Sequence, residues 1–322
     1  MAIRPSRYVH GTAPREQRRL TRLNDLMNAA CLRALAPRRG ERAVDFGAGL
    51  GQMTRAIARA TGVPVVAIEA SAEQIAEARR QARAARESAL ADWRAGDVLD
   101  PPLARDEWGA FDLAHARFIL EHVADPLAVV RRMVQAVRPG GRVVLADDDH
   151  DVLRLWPEPP GVAAVWRGYM RTYDRNGADP IVGRRLVELL HAAGARPVRN
   201  DWVFFGACAG HPHFEPLVAN LAAILEGARA AIVGPGLADA LGFDEALRAL
   251  RAWGRRPDAA LWFAISWAEG VRPGGGRRPS GRTARRAGRT ATRAPAASRG
   301  AGAAAAAAPR VRRRPGAPPS AR

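Results

Sequence analysis

The stretch Val44-Asp45-Phe46-Gly47-Ala48-Gly49-Leu50-Gly51 constrains this chain more than any other. It reads as a short buried strand carrying an acid, a glycine turn, and the start of a helix at Gln52. Glycines allow the tight turn and let backbone approach a ligand with no Cβ in the way. The helix N-terminus behind the turn offers free N–H groups and a positive dipole end, which suit a nucleotide-like ligand. By itself the turn is also compatible with a plain strand-to-helix connection. It departs from the dinucleotide pattern G-x-G-x-x-G, because its third glycine comes one residue early.

The rest of the first half repeats this alternation. Helical spacing runs over Arg15–Ala36, Gln52–Ala60, Ala72–Ala89 and Pro126–Val137, and strands are expected at Ala43–Phe46, Val63–Ile68, Asp92–Ala95, Phe111–Ala114 and Gly141–Ala146. Continuous apolar strands between helices predict an α/β fold with a mostly parallel sheet covered on both faces. Further on, Pro159–Tyr173, Val182–Ala193, His213–Ile232 and Leu237–Trp253 read as helices, with strands at Pro197–Phe205 and Leu261–Ala268. Two helices thus fall between the last two strands, where they are expected to form a lid together with Asp151–Gly177. The expected organisation is an N-terminal helical lid over residues 1–36, a Rossmann-like core over 37–150, and a helical cap with the last two strands over 151–273.

Composition bounds the alternatives. Of 322 residues 48% are apolar, enough for a sizeable core. No apolar run approaches the ~20 residues of a membrane span, and Met1–Pro14 has no apolar signal-like stretch. Cys31 and Cys208 match no metal or redox spacing, so a cytoplasmic setting is expected. Of the formal charge of +18, 14 arginines without an acid lie in Arg272–Arg322, leaving +4 for the first 271 residues. The segment 274–322 is Arg, Ala, Pro, Gly and Ser, too poor in apolar surface to offset its ordering entropy, and is expected to be disordered. It reads as a solvated tail, or else as an electrostatic arm for nucleic acid or a membrane surface.

Two acids stand where a nucleoside would need them. Glu69, followed by Ala70, comes after the second strand, about 20 residues past the glycines, the place from which a carboxylate accepts ribose hydroxyls. Asp97 follows the third strand, where it would accept from an adenine amine while the Val98 N–H reaches a ring nitrogen; the other reading is a turn-capping Asp.

Taken in order, VDFGAGLG, IEAS, AGDVL and FDLAHARFILEHVADPLAVVRRMVQAVRPGGRVVLADDD resemble the successive motifs of class I S-adenosylmethionine-dependent methyltransferases, of the ubiquinone-biosynthesis-like small-molecule kind. The resemblance covers about Arg42–Asp149 and implies a seven-stranded sheet with its last strand antiparallel. It implies that Asp45 and the turn Gly47-Ala48-Gly49 hold the methionine end of S-adenosylmethionine, Glu69 and Ala70 the ribose, and Asp97 and Val98 the adenine. His115, Ala116 and Arg117 would sit beside the methionine carboxylate and the transferred methyl, with Gln52 and Gln74 in support. Tyr8, in a segment resembling N-terminal lids of such enzymes, would fold over the cofactor.

The chemistry expected is methyl transfer to a small-molecule O, N or C nucleophile. His115 is the candidate general base by position, and Asp148 or Asp149 is expected either to orient the acceptor or to cap the next segment, with Asp149 the second catalytic candidate. The run Asp147-Asp148-Asp149-His150 could bind a divalent ion, as in catechol-type O-methyltransferases. Those also place an acid after the fourth strand, where this chain has His115 and Arg117, so no metal is expected. Trp166, Tyr169, Tyr173, Trp202, Phe204 and Phe205 read as core or as an aromatic acceptor pocket. The rival readings are a nucleic-acid methyltransferase with a basic arm, a non-catalytic S-adenosylmethionine-binding protein, and a nicotinamide oxidoreductase. Asp100-Pro101-Pro102 tempts the first, but it follows the third strand and is trailed by Leu103.

Overall fold

The computed structural model describes residues 14–174 and 177–274. Tyr8 and the segment 275–322 lie outside the described residues. The first half alternates as expected: α1 (Pro14–Leu35), β1 (Ala43–Phe46), α2 (Gln52–Thr61), β2 (Val65–Glu69), α3 (Ala72–Ala84), β3 (Ala91–Ala95), β4 (Phe111–Arg117), α4 (Pro126–Ala136) and β5 (Val137–Asp147). There follow β6 (Arg154–Trp156), α5 (Val162–Arg171), α6 (Leu186–Ala192), β7 (Arg196–Phe204), β8 (Ala207–Cys208), α7 (Phe214–Val233), α8 (Ala240–Trp253), β9 (Ala260–Trp262) and β10 (Ala264–Val271).

Seven strands form one sheet in the order β3-β2-β1-β4-β5-β10-β7. β1 pairs in parallel with β2 and β4, and β4 with β5, whereas β10 runs antiparallel between β5 and β7. Helical crossovers between parallel neighbours oblige the sheet to be covered on both faces. Successive strand residues serve opposite faces. Val143 and Leu145 face the core beneath α4 and α6, with Met133, Leu186 and Leu190. Val144 and Ala146 face the core beneath α1 and α2, with Met27, Cys31, Ile57 and the fully buried Trp267.

A third core belongs to the cap. α5, α7 and α8 bury Val165, Trp166, Tyr169, Leu221, Leu225, Phe243 and Leu250 against one another. α7 corrects one expectation: by length and composition its 20 residues could cross a membrane. In the fold its apolar face, including Leu217, Leu221, Leu225 and Ile232, is buried among the cap helices.

Local chemistry sets several boundaries. Ser71 caps α3 by accepting from the Gln74 N–H, and Asp125 caps α4 by accepting from Ala128, with Pro126 at the first helical position. α3 stops at Ala84 rather than Ala89. Arg86 takes a left-handed φ of 58°, and Glu87 turns back to ion pairs with Arg55 and Arg59. The expected strand Leu261–Ala268 divides at Phe263. Its first part pairs with β6 and β8 in a small antiparallel sheet, and its second enters the main sheet.

Candidate functional site

Ligands in open α/β sheets bind beyond the carboxyl ends of the strands. Here that edge opens into a cavity of about 500 Å³, walled by the glycine turn, the ends of β2, β4 and β5, α1 and the cap.

At the glycine end, Gly47 and Ala48 both donate to the Ile68 carbonyl, which ties the turn to the end of β2. Gly47 and Gly49 have φ of 72° and 54°, in the left-handed region that favours glycine. A Cβ on Gly49 would come 3.1 Å from Gln74 Oε1. Glu69 holds the turn from below: Oε2 accepts from Gly49 N at 2.9 Å and Oε1 from Ser71 N at 2.8 Å. Burial pushes the Glu69 carboxyl up against these backbone donors, which pull it down; the net direction is upward. Asp97 accepts from Leu99 N at 2.9 Å, so it does cap its turn, and it also lines the cavity with Ala70 and Val98.

Asp45 and His115 form a buried pair beneath the turn. Asp45 Oδ1 is 2.8 Å from His115 Nδ1, and Oδ2 accepts from Thr54 Oγ1 at 2.6 Å. Ala116, adjoining, is wholly buried in the sheet. Arg117 reaches outward, donating from Nη2 to Asn24 at 2.8 Å and Asn28 at 2.9 Å, so β4 is tied to α1. Gln52 donates to Asp25 on the same helix at 3.2 Å. α1 thus lies over the glycine-turn end of the cavity.

At the cap end stands a cluster that the sequence reading missed. Glu121 folds back from the turn after β4. Its Oε2 lies 2.9 Å from His150 Nε2, which is also 3.2 Å from Tyr173 Oη; Tyr169 and Tyr173 hydroxyls are 3.0 Å apart. Burial disfavours both charges, but the neighbouring histidines hold the Glu121 carboxyl down at about 2, and Glu121 raises His150 to about 9. They stand as a buried ion pair. Glu121, Asp148 and His150 each bring a possible ligand atom within 4.8 Å of one another, so an acid does follow β4 after all. The Glu121–His150 hydrogen bond already occupies two of the three.

The two acids after β5 part company. Asp149 is turned away from the cavity: Arg184 donates to both its oxygens at 2.8 Å, and Oδ1 also accepts from Asp151 N. The catalytic expectation for Asp149 is corrected to a capping and ion-pairing role. Asp148 lines the cavity. His115, the other catalytic candidate, is only 1% exposed, walled in by Asp45 and the sheet. Of the aromatics, Trp166, Tyr169, Tyr173 and Phe205 line the cavity, whereas Trp202 and Phe204 are exposed on β7.

Among the described residues seven buried side-chain polar atoms have no partner. Five belong to cavity-lining residues: Gln52 Oε1, His115 Nε2, Arg117 Nη1, Asp148 Oδ1 and His150 Nδ1. Leaving such groups unpaired costs about 1–3 kcal/mol each. Their concentration around one cavity marks it as built to receive a polar ligand, and the glycine cradle beside them fits the methionine end of a nucleoside cofactor.

A family model described as a methyltransferase domain matches residues 15–200, more than half of the chain. The chain belongs to this methyltransferase-domain family, and its seven-stranded sheet with an antiparallel β10 is the one that the class I resemblance implies. A ubiquinone/menaquinone biosynthesis C-methyltransferase of Paracoccus denitrificans is 29% identical over 148 residues, 43% of this chain and 58% of that one. A ubiquinone biosynthesis O-methyltransferase of Xanthomonas campestris is 36% identical over 107 residues, 33% of this chain and 43% of that one. The chain thus spans about half the length of the curated relatives it matches. A solved structure of a candidate methyltransferase from Bacillus halodurans shares the fold, with a TM-score of 0.51 at 14% identity over 77% of this chain and 99% of that one.

Proposed function

We propose that this chain transfers the methyl group of S-adenosylmethionine to a small-molecule acceptor held under the helical cap. The observation that carries this reading is the continuity of the cavity: Gly49, Glu69 and Asp97 line one end, Trp166, Tyr169 and Tyr173 the other. S-adenosylmethionine supplies an electrophilic sulfonium methyl. The residues of this chain bind and orient around it. The Glu69 carboxylate, still with free lone pairs, accepts from the ribose hydroxyls. Asp97 and the Val98 N–H serve the adenine. The Gly47–Gly49 backbone, with the Arg117 Nη1 donor, holds the methionine end. The cap keeps water from the reacting atoms, and positioning of the acceptor in line with the methyl supplies much of the rate.

A cleft with aromatic walls suits a small organic acceptor; a polymer would have to enter beneath α1 and the cap. Free thiols at Cys31 and Cys208 suit a reducing compartment, and we place the enzyme in the cytoplasm. The test is incorporation of label from methyl-labelled S-adenosylmethionine into panels of phenols, amines and nucleic acids. Label in a small molecule supports the reading. Label in DNA or RNA alone would replace it with the nucleic-acid reading, and saturable cofactor binding with no transfer to an exhaustive panel would favour a non-catalytic role.

A further inference from the structure

We propose that Asp148 is the general base of this site, taking the proton from the acceptor's O–H or N–H as the methyl group arrives. The inference rests on the methyltransferase reading above. Five acids line the cavity, Asp45, Glu69, Asp97, Glu121 and Asp148, and Asp97 stands at the glycine-turn end, accepting from Leu99 N. Asp45 is held by Thr54 and His115, and Glu69 by two backbone N–H groups. Glu121 is paired with His150. Asp148 alone among these combines a buried oxygen without a partner, Oδ1, with partial exposure of the side chain to the cavity. His115 also lines the cavity with Nε2 unpartnered, but it is only 1% exposed and its other ring nitrogen is held by Asp45, whereas the Asp148 side chain is partly exposed.

The backbone around Asp148 is fixed while the side chain is left uncommitted. Its N–H donates to Asp147 Oδ1 at 3.1 Å, and its carbonyl accepts from Gly183 N at 2.9 Å. Gly183 packs so closely that a Cβ there would lie 2.8 Å from the Asp148 carbonyl. That combination suits a group whose carboxylate must meet a ligand at a set place.

The surrounding charges tune it. Burial raises the Asp148 carboxyl, the Glu121 charge adds to the rise, and His150 and Arg19 oppose it, leaving it at about 7. Asp149 also pushes it upward, though Arg184 on its far side neutralises much of that charge. Asp147, directly before it, is itself driven well upward by burial and by Glu121. A base is most effective with a pKa near the operating pH.

Asp148 accepts the proton of a phenol, enol or ammonium. The lone pair left on oxygen or nitrogen forms the bond to the methyl carbon while the carbon–sulfur bond breaks and its electron pair stays on sulfur. Asp148 then gives the proton to solvent. Such a base selects acceptors with an ionisable O–H or N–H over alkene carbons.

Asp148→Asn and Asp148→Glu test this in the full chain. In 13C-aspartate-labelled protein with S-adenosylhomocysteine, the Asp148 carboxyl, assigned by its loss in Asp148→Asn, should titrate near 7; titration below 5 overturns the proposal. Cofactor affinity measured on the same samples reports separately on the parent reading. With any phenol or amine accepted in the label assay, Asp148→Asn should lower kcat by roughly 10²–10⁴-fold. KM and cofactor affinity should stay unchanged and the acid limb of the pH profile should disappear, with partial recovery in Asp148→Glu. Undiminished kcat in Asp148→Asn, or turnover abolished by EDTA and restored by Mg²⁺, would overturn it, the latter by giving Asp148 to a cation.

Discussion

Asp45 Oδ1 and His115 Nδ1 meet at 2.8 Å between β1 and β4, so that the acid of the glycine motif is fixed by the next strand of the sheet. The pair is 3% and 1% exposed, and Thr54 completes it from α2. Asp45→Ala would strand the Thr54 hydroxyl and the His115 ring in a dry place. We expect a loss of roughly 1–3 kcal/mol together with weakened cofactor binding, read by urea unfolding and calorimetry. An unchanged unfolding midpoint would show the pair to be idle.

Gly49→Val should abolish cofactor binding. The side chain would need a φ of 54° and would press on Gln74 in the space the methionine end requires. Calorimetric titration checks this, with circular dichroism to establish that the variant is folded. A folded variant with wild-type affinity would contradict the assignment of the turn.

Two buried titratable groups, Asp148 and His150, give stability a pH dependence of the same sign. Asp148, ordinarily near 3.8, holds its proton up to about 7 when folded, and His150, ordinarily near 6.5, up to about 9. Both bind protons more tightly in the folded state, so each makes stability fall as pH rises between its unfolded and folded values. The melting temperature should therefore decline from about pH 6.5 to 9, above the range in which His122, pushed down by burial, works the other way. Asp148→Asn should flatten the part below 7, and His150→Gln the part above. A wild-type profile rising through this range would be incompatible with these environments.

Gly183→Ala should act on turnover without touching the cofactor. The added methyl would fall 2.7 Å from Ser266 Oγ and 2.8 Å from the Asp148 carbonyl, and something there must shift. We expect a lower kcat with cofactor affinity kept. Equal losses in both would mean that the substitution disturbs the whole site.

Much of the fold is legible in the sequence because short apolar runs such as Val65–Ile68 in β2 and Val143–Ala146 in β5 each end at a polar or glycine motif. The cofactor end follows, since Asp45, Gly49, Glu69 and Asp97 each sit at the end of a strand or in the turn that follows one, and chain spacing alone brings them to one sheet edge. The acceptor end is less legible. Glu121 lies in a short turn with no periodicity, and only the folded chain brings it 2.9 Å from His150, 29 residues on. In the run Asp147–Asp149 the three acids look alike. Ile119 and Leu120 N–H groups take Asp147, Arg184 takes Asp149, and Asp148 is left for the cavity. The small sheet escaped notice because β6 and β8 are three and two residues long, too short to show alternation.

Calorimetric titration of the purified protein with S-adenosylmethionine, with Glu69→Ala, Glu69→Gln and reduced nicotinamide cofactor alongside, decides whether the glycine turn and Glu69 hold the cofactor. Saturable binding of S-adenosylmethionine is expected, weaker in both Glu69 variants, with none of the nicotinamide. Absence of S-adenosylmethionine binding, or binding indifferent to Glu69, would contradict that expectation.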